Sequence, residues 1–129
     1  MMTDYLFDST LLIDLLRDDA RAEAYLAGLP DDTGLFTHAM VKVEVLVGLR
    51  STKELGKFDR LFRKFELLHA NEADSAAALA ALRRLNFSHK IGLPDCLIAA
   101  TALRLALPVV TINDRHYRLF PGLKVIRPY

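Results

Sequence analysis

Four carboxylate-bearing stretches are the chemistry-capable part of this chain. In DYLFDSTLLIDLL an apolar run ends in Asp8, and an amphipathic pattern starts directly behind it. In THAMVKVEVLVGL, Glu44 is surrounded by Val41, Val43, Val45, Leu46 and Val47; in GLPDCLIAATAL, Asp95 opens a segment that is apolar around most of a helix. The fourth stretch, LPVVTIND, ends an apolar run in Asn113 and Asp114. Each acid has an ordinary use on its own. Asp8, Ser9 or Thr10 fits a helix cap, Asp95 suits the positive end of a helix dipole, and Glu44 suits an ion pair, the usual state of a buried acid. Converging on one place, the carboxylates would repel and raise one another's pKa values. A divalent cation that prefers oxygen removes that conflict. Phosphodiester hydrolysis is the chemistry such a site serves: one metal makes hydroxide from bound water, and a second steadies the leaving oxygen.

The donor set narrows the metal. His38, His69, His89 and His116 are scattered and Cys96 is the single cysteine, so no zinc-ligand spacing is present. A few carboxylates that leave room for waters and a phosphate suit Mg²⁺, or Mn²⁺ in its place.

Such a site needs elements that carry distant residues to one edge. Short β-rich runs fall at residues 5–7, 34–37, 66–69, 108–112 and 124–126, and helical runs at 11–17, 20–27, 41–49, 53–64, 72–87 and 95–105. Asn71 with Asp74 reads as the cap of the fifth helix, and Gly92 and Pro94 punctuate the start of the sixth. The alternation predicts an α/β fold in a single domain over residues 1–129, with a mainly parallel sheet of about five strands covered on both faces. Ligands of such sheets bind beyond the carboxyl ends of the strands. Asp8 and the Asn113–Asp114 pair stand at two such ends; Glu44 and Asp95 stand near the starts of two helices.

Composition sets the outer bounds. With 129 residues and 52% hydrophobic content, the chain can build one sizeable core. No apolar run is long enough to span a bilayer and no signal-peptide pattern opens the chain, so no membrane role is expected. Cys96 reads as a small buried hydrophobe, and a single cysteine suits a reducing cytoplasm, the expected location. A net charge of +1 argues against a strongly basic nucleic-acid coat, but clustering counts for more than the total. In LRSTKELGKFDRLFRKFE, Arg50, Lys53, Lys57, Arg60 and Lys64 recur at offsets of three and four. On one continuous helix they fall within roughly 80° of arc, beside an apolar arc of Leu55, Phe58, Leu61, Phe62 and Phe65. This stripe fits either RNA phosphates or a solvated flank shared with Glu54 and Asp59. Arg83, Arg84 and Lys90 form a smaller second group, and His116 and Tyr117 fit either contact with RNA beside the acids or packing under a short helix.

The motifs YLFDSTLLIDLLR, VKVEVLVGL, LPDCLIAATAL and VVTINDRHYRLFPGLKVI have the order and spacing of PIN-domain ribonucleases. Most closely the chain resembles the VapC toxins of type II toxin–antitoxin pairs. The resemblance implies a three-layer α/β/α sandwich and a Mg²⁺-dependent endoribonuclease, commonly a homodimer, that leaves 5′-phosphate and 3′-hydroxyl ends. It also implies a VapB-like antitoxin whose C-terminal tail wraps the toxin near its acids, with DNA met only through that antitoxin. By position, Asp8, Glu44 and Asp95 are the family's first three acids. The resemblance makes Asp8 and Asp95 direct Mg²⁺ ligands, and Glu44 a ligand through water or the general base. The fourth slot, two residues past the strand threonine, holds Asn113, and Asp114 follows it; either fills the position, which leaves a second metal open. Thr10 stands where relatives often carry asparagine, and Asp14 falls outside the site.

Other readings fit less well. A haloacid-dehalogenase-like phosphatase needs a second aspartate where Thr10 stands and a lysine ending the late strand; a phosphoreceiver domain needs a similar lysine and a central acceptor aspartate. An inactive module that only binds an antitoxin and regulates its operon is the alternative that the asparagine at position 113 keeps open.

Overall fold

The computed structural model describes residues 3–129. Along the chain run β1 (Asp4–Phe7), α1 (Ser9–Leu16), α2 (Ala20–Ala27), β2 (Gly34–His38), α3 (Ala39–Val47), α4 (Leu55–Phe62), β3 (Glu66–Leu68), α5 (Glu72–His89), α6 (Leu93–Leu105), β4 (Val109–Val110), α7 (Asp114–Tyr117) and β5 (Val125–Ile126). The five strands pair in parallel in the order β3-β2-β1-β4-β5. The chain steps outward from β1 to β3, then returns across the sheet to β4. With right-handed crossovers, that reversal puts α5 and α6 on the face opposite α1 to α4. It also makes the β1–β4 junction the switch point, where the carboxyl ends of parallel strands open a crevice. Phe7 pairs with Val110 there, so Asp8 and Thr111 leave the sheet side by side.

The strands are short and apolar because both faces are covered. Leu6, Phe7, Val109 and Val110 are fully buried, and Leu11, Leu12, Val41, Val45 and Ile98 pack among them from the helices. The two long helices α5 and α6 meet through buried Ala78, Ala81, Ala99 and Ala102, small residues that permit close approach.

Caps decide where the helices begin. Helix α1 starts at Ser9, ahead of its first leucine, because the Asp8 carboxylate accepts the Thr10 N–H at 3.0 Å. Helix α3 starts at Ala39 rather than Val41 because His38 Nδ1 accepts the Met40 N–H at 3.0 Å. Asn71 and Asp74 form the expected reciprocal cap of α5, with bonds of 2.8 and 3.1 Å. The stretch 53–64 departs from its prediction as one helix. Residues Thr52–Glu54 make a 3-10 turn before α4, since Glu54 accepts the Arg50 backbone N–H at 2.9 Å and pairs with Arg17. Arg50, Lys53 and Lys64 therefore stand off the helix that carries Lys57 and Arg60, and the five cations do not share one helical stripe. Among the described residues, no helix is long and apolar enough to cross a membrane.

Candidate active site

Asp8 is both a cap and a site residue. It is 3% exposed, and its two oxygens are held separately. Oδ1 accepts the Thr10 N–H at 3.0 Å and the Thr10 hydroxyl at 2.6 Å; Oδ2 accepts the Thr111 hydroxyl at 2.6 Å. The threonine oxygens in turn accept backbone N–H groups, Ile112 onto Thr10 at 3.0 Å and Asn113 onto Thr111 at 3.1 Å. Burial drives the Asp8 carboxyl up to about 6 and the Asp95 charge adds to the rise, while the threonine bonds pull it down.

Asp95, in the first turn of α6, is gripped by α7. His116 Nδ1 lies 3.1 Å from Oδ2, which fixes the hydrogen on Nδ1, and the Tyr117 hydroxyl donates to Oδ1 at 3.3 Å. Tyr117 is buried, and that burial, with the charges of Asp8, Asp95 and Glu44, keeps its phenol protonated and donating. Glu44 comes from α3. Its Oε1 is buried without a hydrogen-bond partner. Burial first, then the negative charges of Asp95 and Asp8, push its carboxyl up to about 7. Three acids, one capping α1, one in the second turn of α3 and one in the first turn of α6, thus come close enough that the charge of Asp95 acts on Asp8 and the charges of both act on Glu44.

The other expected site residues are placed differently. Asp114 accepts Arg118 Nε at 2.8 Å and Arg127 Nη1 at 3.4 Å, and the Arg118 bond holds its carboxyl below the usual range. Its charge is spent on two arginines. The Asn113 side chain makes no cap bond to α7, and its backbone is what joins the Asp8–Thr111 pair. Of the basic residues, Lys57 bonds Asp18 at 2.5 Å, and Lys57, Arg60 and Lys64 line a cleft with Leu15, Leu16, Leu61, Asp18 and Glu23. That cleft lies at the far end of α1, about 12 Å along the helix from Asp8 at 1.5 Å per residue.

The acids present only oxygen donors, the choice of a hard divalent ion. Among the described residues, no three His, Cys, Asp or Glu side chains are gathered closely enough to grip an ion unaided. Mg²⁺ does not need such a cage: it keeps several waters and takes one or two carboxylates plus a substrate phosphate. An unpartnered buried oxygen on Glu44, beside two carboxylates that raise its pKa, is the state a cation relieves. The residues fit.

Thr111 and the His116–Tyr117 grip on Asp95 are the functional candidates that sequence reasoning underweighted. The one available signal was the polar residue closing the Val109–Val110 strand next to an acid-bearing neighbour. A second polar chain stays apart from the acids. His38 Nε2 lies 3.0 Å from the Thr101 hydroxyl, which donates to Asp74 at 2.8 Å, and Arg104 forks onto Asp74 at 2.8 and 3.0 Å. Burial holds His38 down at about 4, so it is a neutral strut.

Residues 5–121 match the PIN domain. The chain is 36% identical over 120 residues to Ribonuclease VapC10 of Mycobacterium tuberculosis, covering 92% of this chain and 90% of that one. It is 31% identical over 121 residues to Ribonuclease VapC19 of the same species, covering 92% and 96%. Among solved structures, a toxin–antitoxin complex from Klebsiella pneumoniae aligns at a TM-score of 0.77 and 26% identity, over 97% of this chain and 98% of that one. VapBC-1 from nontypeable Haemophilus influenzae has the same fold at a TM-score of 0.80 and 18% identity, over 98% of each chain. With Asp8 at the β1–β4 crevice, residues 5–121 matched to the PIN domain and 92% of its length aligned to VapC relatives, this chain belongs to the PIN-domain family.

Proposed function

We propose that the protein is a cytoplasmic endoribonuclease that hydrolyses RNA phosphodiesters, and that it is the toxin of a VapBC-type pair held in check by a VapB-like antitoxin. The observation that carries the catalytic reading is Glu44 Oε1, a buried acceptor with no partner, facing the charges of Asp8 and Asp95. The names of the VapC10 and VapC19 relatives support the substrate class.

Asp8 and Asp95 are the residues that would hold Mg²⁺, or Mn²⁺; when bound, the ion supplies charge neutralisation at the phosphate and a water of lowered pKa. The rest is the work of the chain. Thr10 and Thr111 fix the Asp8 carboxylate, and His116 and Tyr117 fix that of Asp95. Glu44 Oε1 takes the proton of the attacking water, and a pKa near the working pH is what a general base needs. Water oxygen joins phosphorus, the bond to the 3′-oxygen breaks, and that oxygen leaves with a proton from solvent. The products carry a 5′-phosphate and a 3′-hydroxyl. Asn113 steadies the site through its backbone, and Asp114 acts at a distance by fixing α7 to Arg118 and Arg127.

The exposed apolar side chains of α3, Val43, Leu46 and Val47, suit a homodimer contact. The basic cleft lined by Lys57, Arg60 and Lys64 suits a longer RNA path or the antitoxin; DNA would be met through the antitoxin alone.

The test is cleavage of end-labelled RNA by purified protein, with and without EDTA, beside Asp8→Asn and Glu44→Gln. Metal-dependent cleavage lost in both folded variants is the expected result. No cleavage by the wild type would favour the binding module, a reading to which the arginine-bound Asp114 lends weight; metal-independent cleavage would overturn the role given to the acids.

A further inference from the structure

We propose that the cavity between the end of α5 and α7 binds one nucleotide of single-stranded RNA, the one adjoining the scissile phosphate. The inference rests on the ribonuclease reading and names where its substrate is held. The cavity measures about 370 Å³ and is lined by Ser88, His89, Arg115, His116 and Leu119. That is at the small end of ligand pockets, which run from about 300 Å³ upward.

Its position ties it to the acids. His116 is a shared wall: its Nδ1 is engaged with Asp95 Oδ2 at 3.1 Å, while the ring also borders the cavity. On the opposite side, Lys90 takes the left-handed conformation at φ 51° and turns the chain from α5 into the loop before α6. That tight turn keeps Ser88 and His89 beside the start of the helix that carries Asp95.

Its chemistry is that of a nucleotide site. No carboxylate lines it. Arg115 is exposed and, among the described residues, has no carboxylate within ion-pair distance, whereas neighbouring Arg118 is bound to Asp114. A free guanidinium is the preferred fork for a phosphate. The His89 and His116 rings and the Leu119 side chain offer flat and apolar surface for a base. Only an unstacked base of a single strand reaches such a pocket. The cleft beside Lys57 differs in this respect, since Asp18 and Glu23 share its wall.

The test separates this inference from the reading beneath it. A mixed-sequence, 2′-O-methyl hexaribonucleotide is titrated by fluorescence anisotropy in KCl without divalent ions, the condition that prevents cleavage. The full-length wild type is compared with Arg115→Gln and His89→Ala, and circular dichroism melts establish that each variant is folded. Arg115→Gln should weaken binding about tenfold, as loss of a charged hydrogen bond implies, and lower the salt slope by about 0.7, the value for one phosphate on a single strand. His89→Ala should weaken binding about fivefold through lost stacking and leave the slope unchanged. Wild-type affinity and slope in both folded variants would overturn the pocket, as would no binding by the wild type. Cleavage of the unmodified hexamer by the wild type with Mg²⁺ judges the ribonuclease reading separately: that reading survives if cleavage occurs while Arg115→Gln binds normally.

Discussion

Asp8 Oδ2 and Thr111 Oγ1 lie 2.6 Å apart, although 103 positions separate them in the chain. A hydroxyl on an ionised carboxylate has this short spacing. Thr10 Oγ1 lies at the same distance from Oδ1. Each threonine has a single hydroxyl hydrogen and both hydrogens point at Asp8, so the 3.4 Å approach of the two threonine oxygens carries none. Three donors thus converge on Asp8 and favour its charged form, against a burial that favours the neutral one. The site holds a negative charge in place where solvent does not.

Thr111→Val should expose the worth of that arrangement. Valine keeps the volume but leaves Asp8 Oδ2 without a donor and the Asn113 N–H without an acceptor. An orphaned buried polar group costs about 1–3 kcal/mol. We expect an unfolding free energy, by urea titration, lower by that amount and RNA cleavage reduced, with both restored in Thr111→Ser. Equal stability of the valine and serine variants would refute the role given to the hydroxyl.

The raised acids make stability depend on pH in a stated direction. Asp8 sits at about 6 against 3.8, through burial first, and Glu44 at about 7 against 4.5, again through burial first. Between about pH 4.5 and pH 7 the metal-free folded state keeps protons that the unfolded chain has released, so its stability falls as pH rises. The Tm should be higher at about pH 5 than at about pH 8. Asp8→Asn keeps the helix cap, since asparagine caps as well as aspartate, and removes one of the two charges; it should raise the Tm at about pH 8 and flatten the profile. Added Mg²⁺ should raise the wild-type Tm at that pH by binding the folded state. A profile that climbs from pH 5 to pH 8 contradicts the assignment.

The fold and the approach of the three acids were legible because they follow from local patterns: short apolar strands, amphipathic helices, and a carboxylate at a strand end, in a helix's first turn or alone on an otherwise apolar helix. Asp8 satisfies the cap reading and the site reading together, since a helix N-terminus at a strand's carboxyl end is where both demands fall. The partners of the acids were not legible. Nothing within a few residues of Thr111 or Tyr117 reveals a bond to Asp8 or Asp95, because register across the sheet and the placement of α7 set those contacts. The single-helix geometry of the basic stripe was lost for a related reason. Its regular spacing presumes one helix through residues 53–64, and a long-range ion pair of Glu54 with Arg17 favours a turn at the start of that stretch instead.

Arg104→Leu tests the buried strut apart from the catalytic acids. Burial pushes the Asp74 carboxyl up, but the bonds from Arg104, Asn71 and Thr101 together outweigh it and hold it below the usual range. Asp74 is 2% exposed, so losing the guanidinium strands its charge. Breaking a fully buried pair costs about 3–5 kcal/mol; with Arg104 partly exposed we expect about 2–3 kcal/mol by urea titration, with Mg²⁺ affinity unchanged. In the wild type this contribution is present at neutral pH and fades as pH falls below about 4, where the unfolded chain's carboxyl takes up its proton while the folded one is still ionised. A shift in Mg²⁺ affinity would mean that the strut and the acids act as one network.

Tyr117→Phe asks whether the grip on Asp95 matters to the metal rather than to the fold. The hydroxyl donates to Oδ1 at 3.3 Å, a long bond, while the ring is fully buried in the core. Phenylalanine keeps the ring and its packing, so stability should change by less than about 1 kcal/mol. Orientation of a ligating carboxylate is more sensitive. Removing a partner that holds a metal ligand commonly lowers metal affinity about 10–100-fold, and this weak bond, with His116 still engaged at 3.1 Å on the other oxygen, should give a loss of about three- to tenfold. Mn²⁺ titration followed by electron paramagnetic resonance reads that loss without relying on RNA cleavage. If the variant binds Mn²⁺ as the wild type does, while Asp95→Asn does not, then Tyr117 serves the core alone and Asp95 is held by His116.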